Sequence, residues 1–203
     1  MILVAHNSHL KLDCRYNHKV KLDLCDPHSL FVTLLGACGA NGDRDHGRLL
    51  YAVIHHPGMI TSVVTRSPIK PDWGRLPNGY AVDISEHSFP LNFQTGERFR
   101  LDMTANATVT SIIDGNRSAV GDDELRRWLD KKGLKHGFSV IELSANRGRS
   151  VKIKKHTLSP AHFTAMIEVA DPEAIARAYL SGIGREKYAG MGLMRLKRLE
   201  GGG

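Results

Sequence analysis

Aromatic residues make up only 6% of the 203-residue chain, and cysteine is confined to Cys14, Cys25 and Cys38. The first scarcity argues against recognition by base stacking. An RNA-recognition motif needs the aromatics of its signature strands, and no such pattern occurs. The second excludes a disulfide framework: the number is odd, C-x-x-C spacing is missing, and a reduced cytoplasmic setting is expected. No apolar run approaches the roughly 18 residues of a membrane-spanning helix. The opening Met1-Ile2-Leu3-Val4-Ala5-His6 turns polar too soon for a signal peptide. His6, His9, His55, His56 and His156 have no ligand spacing backed by a second cluster of cysteines or acids. Neither a metal site nor a cofactor is therefore expected.

Acids are also in short supply. Twenty-one Asp and Glu stand against 28 Lys and Arg, giving a net charge of +7. That balance favours an anionic partner, nucleic acid ahead of membrane. A membrane-surface role would want a basic amphipathic helix, whereas the cations here lie mostly in strand-like segments. The run Arg147-Gly-Arg-Ser-Val-Lys-Ile-Lys-Lys155 holds five cations and no acid. Taken alone it reads as a solvated strand face; with the net charge, phosphate contact is the stronger reading. Lys154 and Lys155 cannot both lie on one face of a strand.

The C-terminal stretch Gly182-Ile183-Gly184-Arg185-Glu186-Lys187-Tyr188-Ala189-Gly190-Met191-Gly192-Leu193 is the densest motif. Its glycines let a phosphate approach the main chain, and successive N–H groups in such a loop form an anion-binding concavity beside Arg185 and Lys187. A turn that merely packs helix against sheet would use the same residues.

Hydrophobic patterning organises the rest. Ser8 to Asp13 alternates as a strand with Leu10 and Leu12 inward. Asp26-Pro27 starts a helix whose apolar face is Leu30, Phe31, Leu34, Leu35 and Cys38. Gly39 to Gly47 reads as a polar loop. Strands follow at Leu49–Ile54 and Ile60–Thr65, joined by a turn at His56-Pro57-Gly58, and another at Tyr80–Ile84. An irregular stretch from Ser67 to Gly74 stands where a second helix would have been. Ser85 to Glu97 behaves as a connection. Arg98 to Val109 then forms a long strand, and Asp122 to Gly133 a helix with Leu125, Trp128 and Leu129 on one face and Gly133 past its end. Strands at Phe138–Leu143, Ser150–Lys155 and Phe163–Val169 precede a helix from Asp171-Pro172 to about Ser181. A last strand covers Gly192–Leu199, and Gly201-Gly202-Gly203 reads as a flexible tail. The order β-α-β-β-α-β thus occurs twice. It predicts an α+β chain of two tandem ferredoxin-like (RRM-like) domains, 1–88 and 95–200, with a C-terminal glycine-rich loop.

Several stretches carry a family resemblance. The run Ile175 to Lys187 with its continuation Ala189-Gly190-Met191-Gly192-Leu193-Met194 is similar to the helix and G-[IV]-G-x-x-K-x-x-G-x-G-L loop of the CasE family. That family supplies the CRISPR-RNA maturation subunit of subtype I-E Cascade complexes. Gly96-Glu97-Arg98-Phe99-Arg100-Leu101 followed by Thr104-Ala105-Asn106-Ala107 resembles its strand ending in an Ala-Asn-Pro turn, with Ala107 in place of proline. Pro71-Asp72-Trp73 and the Trp128-Leu129 helix also match. The resemblance implies a metal-independent endoribonuclease that cuts precursor CRISPR RNA at the base of a repeat stem-loop. The products would be a 2′,3′-cyclic phosphate and a 5′-hydroxyl. The enzyme would stay on the 3′ hairpin as a Cascade subunit, with target DNA an indirect partner through the complex.

The family's histidine sits on the first helix of the N-terminal domain. Anchoring on Asp23-Leu24-Cys25-Asp26-Pro27, which resembles the family's Asp-Leu-x-x-Pro lead-in, puts Phe31 at the histidine position. A gap of three places His28 there instead. Residues three apart share a helix face, and Phe31 cannot transfer protons, so His28 is the expected catalytic residue, with His18 and Tyr16 in reserve. The resemblance further implies that Arg147, Arg149, Lys152, Lys154 and Lys155 grip the stem. Gly182, Gly184, Arg185, Lys187, Gly190 and Gly192 would support the RNA backbone at its base. Two alternatives stay open: a Cascade subunit that holds the hairpin with little cleavage, motivated by Phe31, and a general RNA-binding protein of RRM-like fold.

Overall fold

The N-terminal alternation runs further than its apolar residues mark. In the computed structural model, which describes residues 3–39, 49–56, 60–110, 115, 117–153 and 156–199, β1 spans Val4–Asp13 with Leu10 and Leu12 fully buried. Two helices follow it, α1 (His18–Cys25) and α2 (Pro27–Gly36). The second begins where Asp26 and Pro27 predict. The first was not expected, because its buried face holds Val20 and Asp23, and a buried acid hides an amphipathic pattern. Asn17 caps it by accepting from the Val20 N–H at 3.2 Å.

β2 (Leu50–His55) and β3 (Ile60–Ser67) form next, and β4 covers Asp83–Pro90. Here the expected connection is a strand. Its residues are all half-buried or exposed, so no alternation announces it; the ladder to β1, from Lys11 opposite Asp83 to Val4 opposite Pro90, holds it. A charged, exposed strand suits a sheet edge. Tyr80 enters the core instead of opening that strand. The second crossover carries a 3-10 turn at Trp73–Arg75 where a helix would otherwise stand. Trp73 is buried there and donates its indole N–H to Ser8 Oγ at 3.0 Å. The expected loop at 40–47 and the turn at 57–58 lie outside the described residues.

Arg98–Val109, expected as one strand, is broken at buried Ala107 into β5 (Arg98–Asn106) and β6 (Thr108–Thr110), the latter paired with β7 (Arg117–Ala119). The helix α3 (Leu125–His136) starts later and ends later than expected, with Gly137 in the left-handed region at its C-cap. Gly133 lies inside the helix. A Cβ there would stand 2.4 Å from the Phe138 carbonyl oxygen, so close passage of the next strand explains that glycine. β8 (Phe138–Arg147), the hairpin β9 (Val151–Ile153) and β10 (His156–Leu158), β11 (Pro160–Val169), α4 (Pro172–Ser181) and β12 (Arg195–Arg198) complete the chain. Asp171 caps α4 by accepting from the Glu173 and Ala174 N–H groups at 3.0 Å each.

Two units result: Met1–Leu91 with Lys187–Gly190, and Asn92–Glu186 with Met191–Gly203. The first has an antiparallel sheet in the order β2-β3-β1-β4, and the second one in the order β12-β5-β11-β8. Counted within each unit both read 4-1-3-2, the ferredoxin-like order that the doubled pattern predicted. The first core gathers Leu10, Leu12, Val20, Leu30, Leu34 and Tyr51. The second buries Leu101, Met103, Leu129, Phe163 and Ile175, and Trp128 stacks on Phe163 at 5.4 Å between centroids. Each fully buried side chain of this size stabilises by roughly 1.5–3 kcal/mol.

Candidate functional site

His28 occupies the first turn of α2. Asp26 fixes that turn by accepting from the His28 N–H at 3.1 Å. The half-buried imidazole meets the Tyr188 ring edge-on, with centroids 5.9 Å apart and planes at 83°. Tyr188 belongs to a 3-10 turn, Lys187–Ala189, that forms the middle of the glycine loop and clusters with the first unit. Tyr51 on β2 joins the two. Its hydroxyl lies 2.8 Å from the Pro27 carbonyl oxygen and 2.9 Å from that of Tyr188, one proton shared between two acceptors. Burial first, and then the charge of Asp26, push the Tyr51 phenol far above its usual pKa. It is a fixed donor, not an acid near neutral pH. Gly190 has φ +75°, and a Cβ there would stand 3.0 Å from Tyr51 Cε2. Only a glycine lets the loop close over that ring.

Phe31 stacks on the same tyrosine, 6.3 Å between centroids at 29°, and packs against the first core. The two candidates for the family histidine position therefore face different partners: Phe31 the core side of Tyr51, His28 the loop. The reserves are at exposed positions on a separate helix and its approach. His18 opens α1, and Tyr16 lies under the Arg15 guanidinium at 5.1 Å.

Beneath α2 sits a buried carboxylate. Asp23 accepts from Lys19 Nζ at 2.6 Å, Ser29 Oγ at 2.5 Å, Thr33 Oγ1 at 2.8 Å and Tyr80 Oη at 2.7 Å. Burial raises its pKa, but these four donors outweigh that and hold it below the ordinary carboxylate value. Ser29 and Thr33 are on α2 itself, so the network sets how the helix bearing His28 lies on α1.

In the second unit the outer parts of the loop and the Ala105-Asn106 motif are one hydrogen-bonded assembly. Gly182 ends α4, donating its N–H to the Ala178 carbonyl at 2.7 Å. Arg185 pairs through its backbone with Asn106, whose side-chain oxygen accepts from the Ser159 N–H at 3.1 Å. The Ile183 N–H donates to the Gly192 carbonyl at 2.9 Å, and the Gly192 N–H to that of Thr104 at 2.7 Å. At Gly192, with φ +85°, a Cβ would stand 2.4 Å from the Ile183 carbonyl oxygen. Gly184 rests on Trp128, where a Cβ would be 3.8 Å from the indole.

The basic run is divided. Arg147 ends β8 and donates its Nε–H to Asp122 at 2.7 Å; its other two guanidinium nitrogens are buried, without a partner among the described residues. Arg149 is exposed just beyond it. Lys152 lies in β9, while Lys154 and Lys155 are outside the described residues. Among the described residues no three His, Cys, Asp or Glu side chains group as metal ligands, and no helix is long and apolar enough to cross a membrane. Sequence reading missed Tyr51, Tyr188 as the partner of His28, and Asp23 as a hub. Tyr188 was visible inside the motif, but nothing local links it to residue 28.

Fold and motifs together define a class: tandem ferredoxin-like α+β proteins whose last helix runs into a glycine-rich loop. The model of the CRISPR associated protein family matches residues 6–198, and the chain belongs to that family. The CasE resemblance read from the motifs is borne out. The CRISPR-associated endoribonuclease Cse3 of Thermus thermophilus is 27% identical over 192 residues, 85% of this chain and 90% of that protein. Cse3 bound to an RNA representing a pre-cleavage complex superposes with a TM-score of 0.86 at 22% identity, over 95% of this chain and 98% of that one. Cas6e from Escherichia coli K-12 does so with 0.68 at 18%, over 96% and 100%. At these identities the two structures speak for the fold.

Proposed function

We propose that the protein is a metal-independent endoribonuclease that binds and cleaves precursor CRISPR RNA at repeat stem-loops, then remains on the 3′ hairpin as a Cascade subunit. The observation that carries this is His28, held at the start of α2 beside the Lys187–Ala189 turn of the family's loop. The similarity to a named CRISPR endoribonuclease over most of the chain supports it. Target DNA is reached only through the complex, and the free cysteines suit a reducing cytoplasm.

In the proposed reaction the 2′-oxygen attacks the adjacent phosphorus and loses its proton, while the P–O5′ bond breaks and the leaving oxygen gains one. A 2′,3′-cyclic phosphate and a 5′-hydroxyl result. An imidazole can take up or give a proton, so it suits either transfer, and such a group contributes about 10²–10⁴-fold. Residues 1–88 would supply this helix. Residues 95–200 would hold the stem through Arg147, Arg149, Lys152, Lys154 and Lys155, with Gly182, Gly184, Arg185, Lys187, Gly190 and Gly192 supporting the RNA backbone. Double-stranded RNA is read mainly through shape, phosphates and 2′-hydroxyls, which suits a cationic surface poor in aromatics.

The test is cleavage of the repeat hairpin in EDTA by wild type and His28→Ala. Tight binding by both, with cleavage reduced about 10²–10⁴-fold in the variant, is the expected result. Equal cutting would remove His28 and turn attention to His18 or Tyr16. Binding without cutting by wild type would mean a hairpin-holding subunit, the reading that Phe31 favours.

A further inference from the structure

α3 carries more positive charge than its packing uses. Arg126 is committed, pairing with Asp130 at 3.3 Å and donating to the Val140 carbonyl at 2.9 Å. Lys132, Lys135 and Arg185 have no acidic partner among the described residues. Yet the fold brings them together. Lys132 and Lys135 are three apart on one helix face, and the Lys132 ammonium sits 5.2 Å from the centre of the Trp128 ring. The glycine loop approaches the same indole at Gly184, and the bridge to Asn106 fixes the next residue, Arg185. Half-burial lowers the Lys132 pKa, and the charges of Lys135 and Arg185 lower it further, so Lys132 feels both of the other cations.

Like charges gathered without a counter-charge are unfavourable alone, and an anion bridging them relieves the repulsion. Lys135 and Arg185 are exposed, which suits a continuous polyanion better than an enclosed small ion. We infer that Lys132, Lys135 and Arg185, arranged around Trp128, form a phosphodiester-binding subsite for the RNA backbone, additional to the basic run from Arg147. This rests on the RNA-binding reading above. The subsite contacts phosphates, so it adds affinity and register with no preference for sequence.

The test measures binding of a chemically synthesised repeat hairpin, with the repeat sequence of the protein's own CRISPR array and 2′-deoxyribose at the scissile nucleotide to prevent cutting, across a range of salt. The variants are Lys132→Gln with Lys135→Gln, and, on a different element, Arg185→Gln. A control pair, Lys70→Gln with Lys197→Gln, removes the same charge elsewhere. Folding of each is checked by thermal melting. Expected are an affinity loss of about tenfold and a salt slope shallower by roughly 1–2 for the double variant, and by about 1 for Arg185→Gln. A hairpin of scrambled stem sequence should suffer the same loss, and Lys132→Arg, which keeps the charge, should bind as wild type does. If wild type binds and both variants match the control pair, the subsite is overturned while the RNA-binding reading stands. If wild type itself does not bind, both fall.

Discussion

The two units share a strand order and differ in what they bury. Apart from Asn106, every buried polar or charged residue described, from Ser8 and Asp23 to Thr65 and Arg66, belongs to the first unit. The second buries an apolar core under two full helices and has no buried charged residue among those described. In the first unit, one crossover helix is replaced by a 3-10 turn, and the lost apolar surface is offset by hydrogen bonds: Trp73 to Ser8, Tyr80 to Asp23, Tyr51 to two carbonyls. Directional bonds hold a helix in one position more tightly than apolar contact does. The unit bearing His28 is thus the one whose helices are set by polar networks, and the unit bearing the basic run is a packed support.

The largest expected effect on stability follows from removing the hub of that network. Asp23→Ala leaves the Lys19, Ser29, Thr33 and Tyr80 donors facing an empty place, and should destabilise by about 3–5 kcal/mol in urea denaturation. Its pH signature follows from the lowered pKa. The carboxylate's stabilisation is complete above about pH 4 and is lost as pH falls through the lower folded-state value. Asp23→Asn should therefore flatten the acid limb of a stability profile; an unchanged limb would mean that the hub carries no charge-dependent stability.

Next in size come the loop glycines, which sharpen the contrast because one serves each unit. Gly192→Ala meets backbone at 2.4 Å and should cost roughly 1–3 kcal/mol, seen as a lower melting temperature. Gly190→Ala meets the Tyr51 ring instead, so its stability loss should be nearer 1 kcal/mol while cleavage falls by a larger factor than for Gly192→Ala. The smallest effect is expected for Tyr51→Phe. It removes one bifurcated hydrogen bond, worth about 1 kcal/mol, and keeps the ring that Phe31 and Gly190 pack upon. A several-fold loss of cleavage with little loss of stability would assign that hydroxyl to positioning α2. Equal losses of both would make it part of the core alone.

Local signals were enough where one residue's chemistry sets one turn. Asp26-Pro27 and Asp171-Pro172 mark the two helix starts because an aspartate cap and a proline at the first helical position act within four residues. The alternation in β5 and β11 marks strands with one buried face. The doubled ferredoxin-like order was legible for the same reason. Signals failed where burial was polar or absent. α1 hides Asp23 on its inner face, and β4 is an edge strand held by backbone bonds to β1.

The sequence by itself determined the elements that carry a local cap or an apolar alternation, the excess of positive charge, the glycine loop and a histidine at the head of a first-unit helix. Each follows from residues close together in the chain. Only the tertiary structure decided that Tyr188 faces His28, that the Tyr51 hydroxyl reaches the carbonyls of Pro27 and of Tyr188, the latter 137 positions away, that Arg147 is held by Asp122, and that Gly184 comes against the Trp128 ring over which Lys132 lies. The reason is physical. These neighbours are set by strand register and by where a loop returns, and a side chain's neighbours across a sheet leave no trace in the spacing of the chain that bears them.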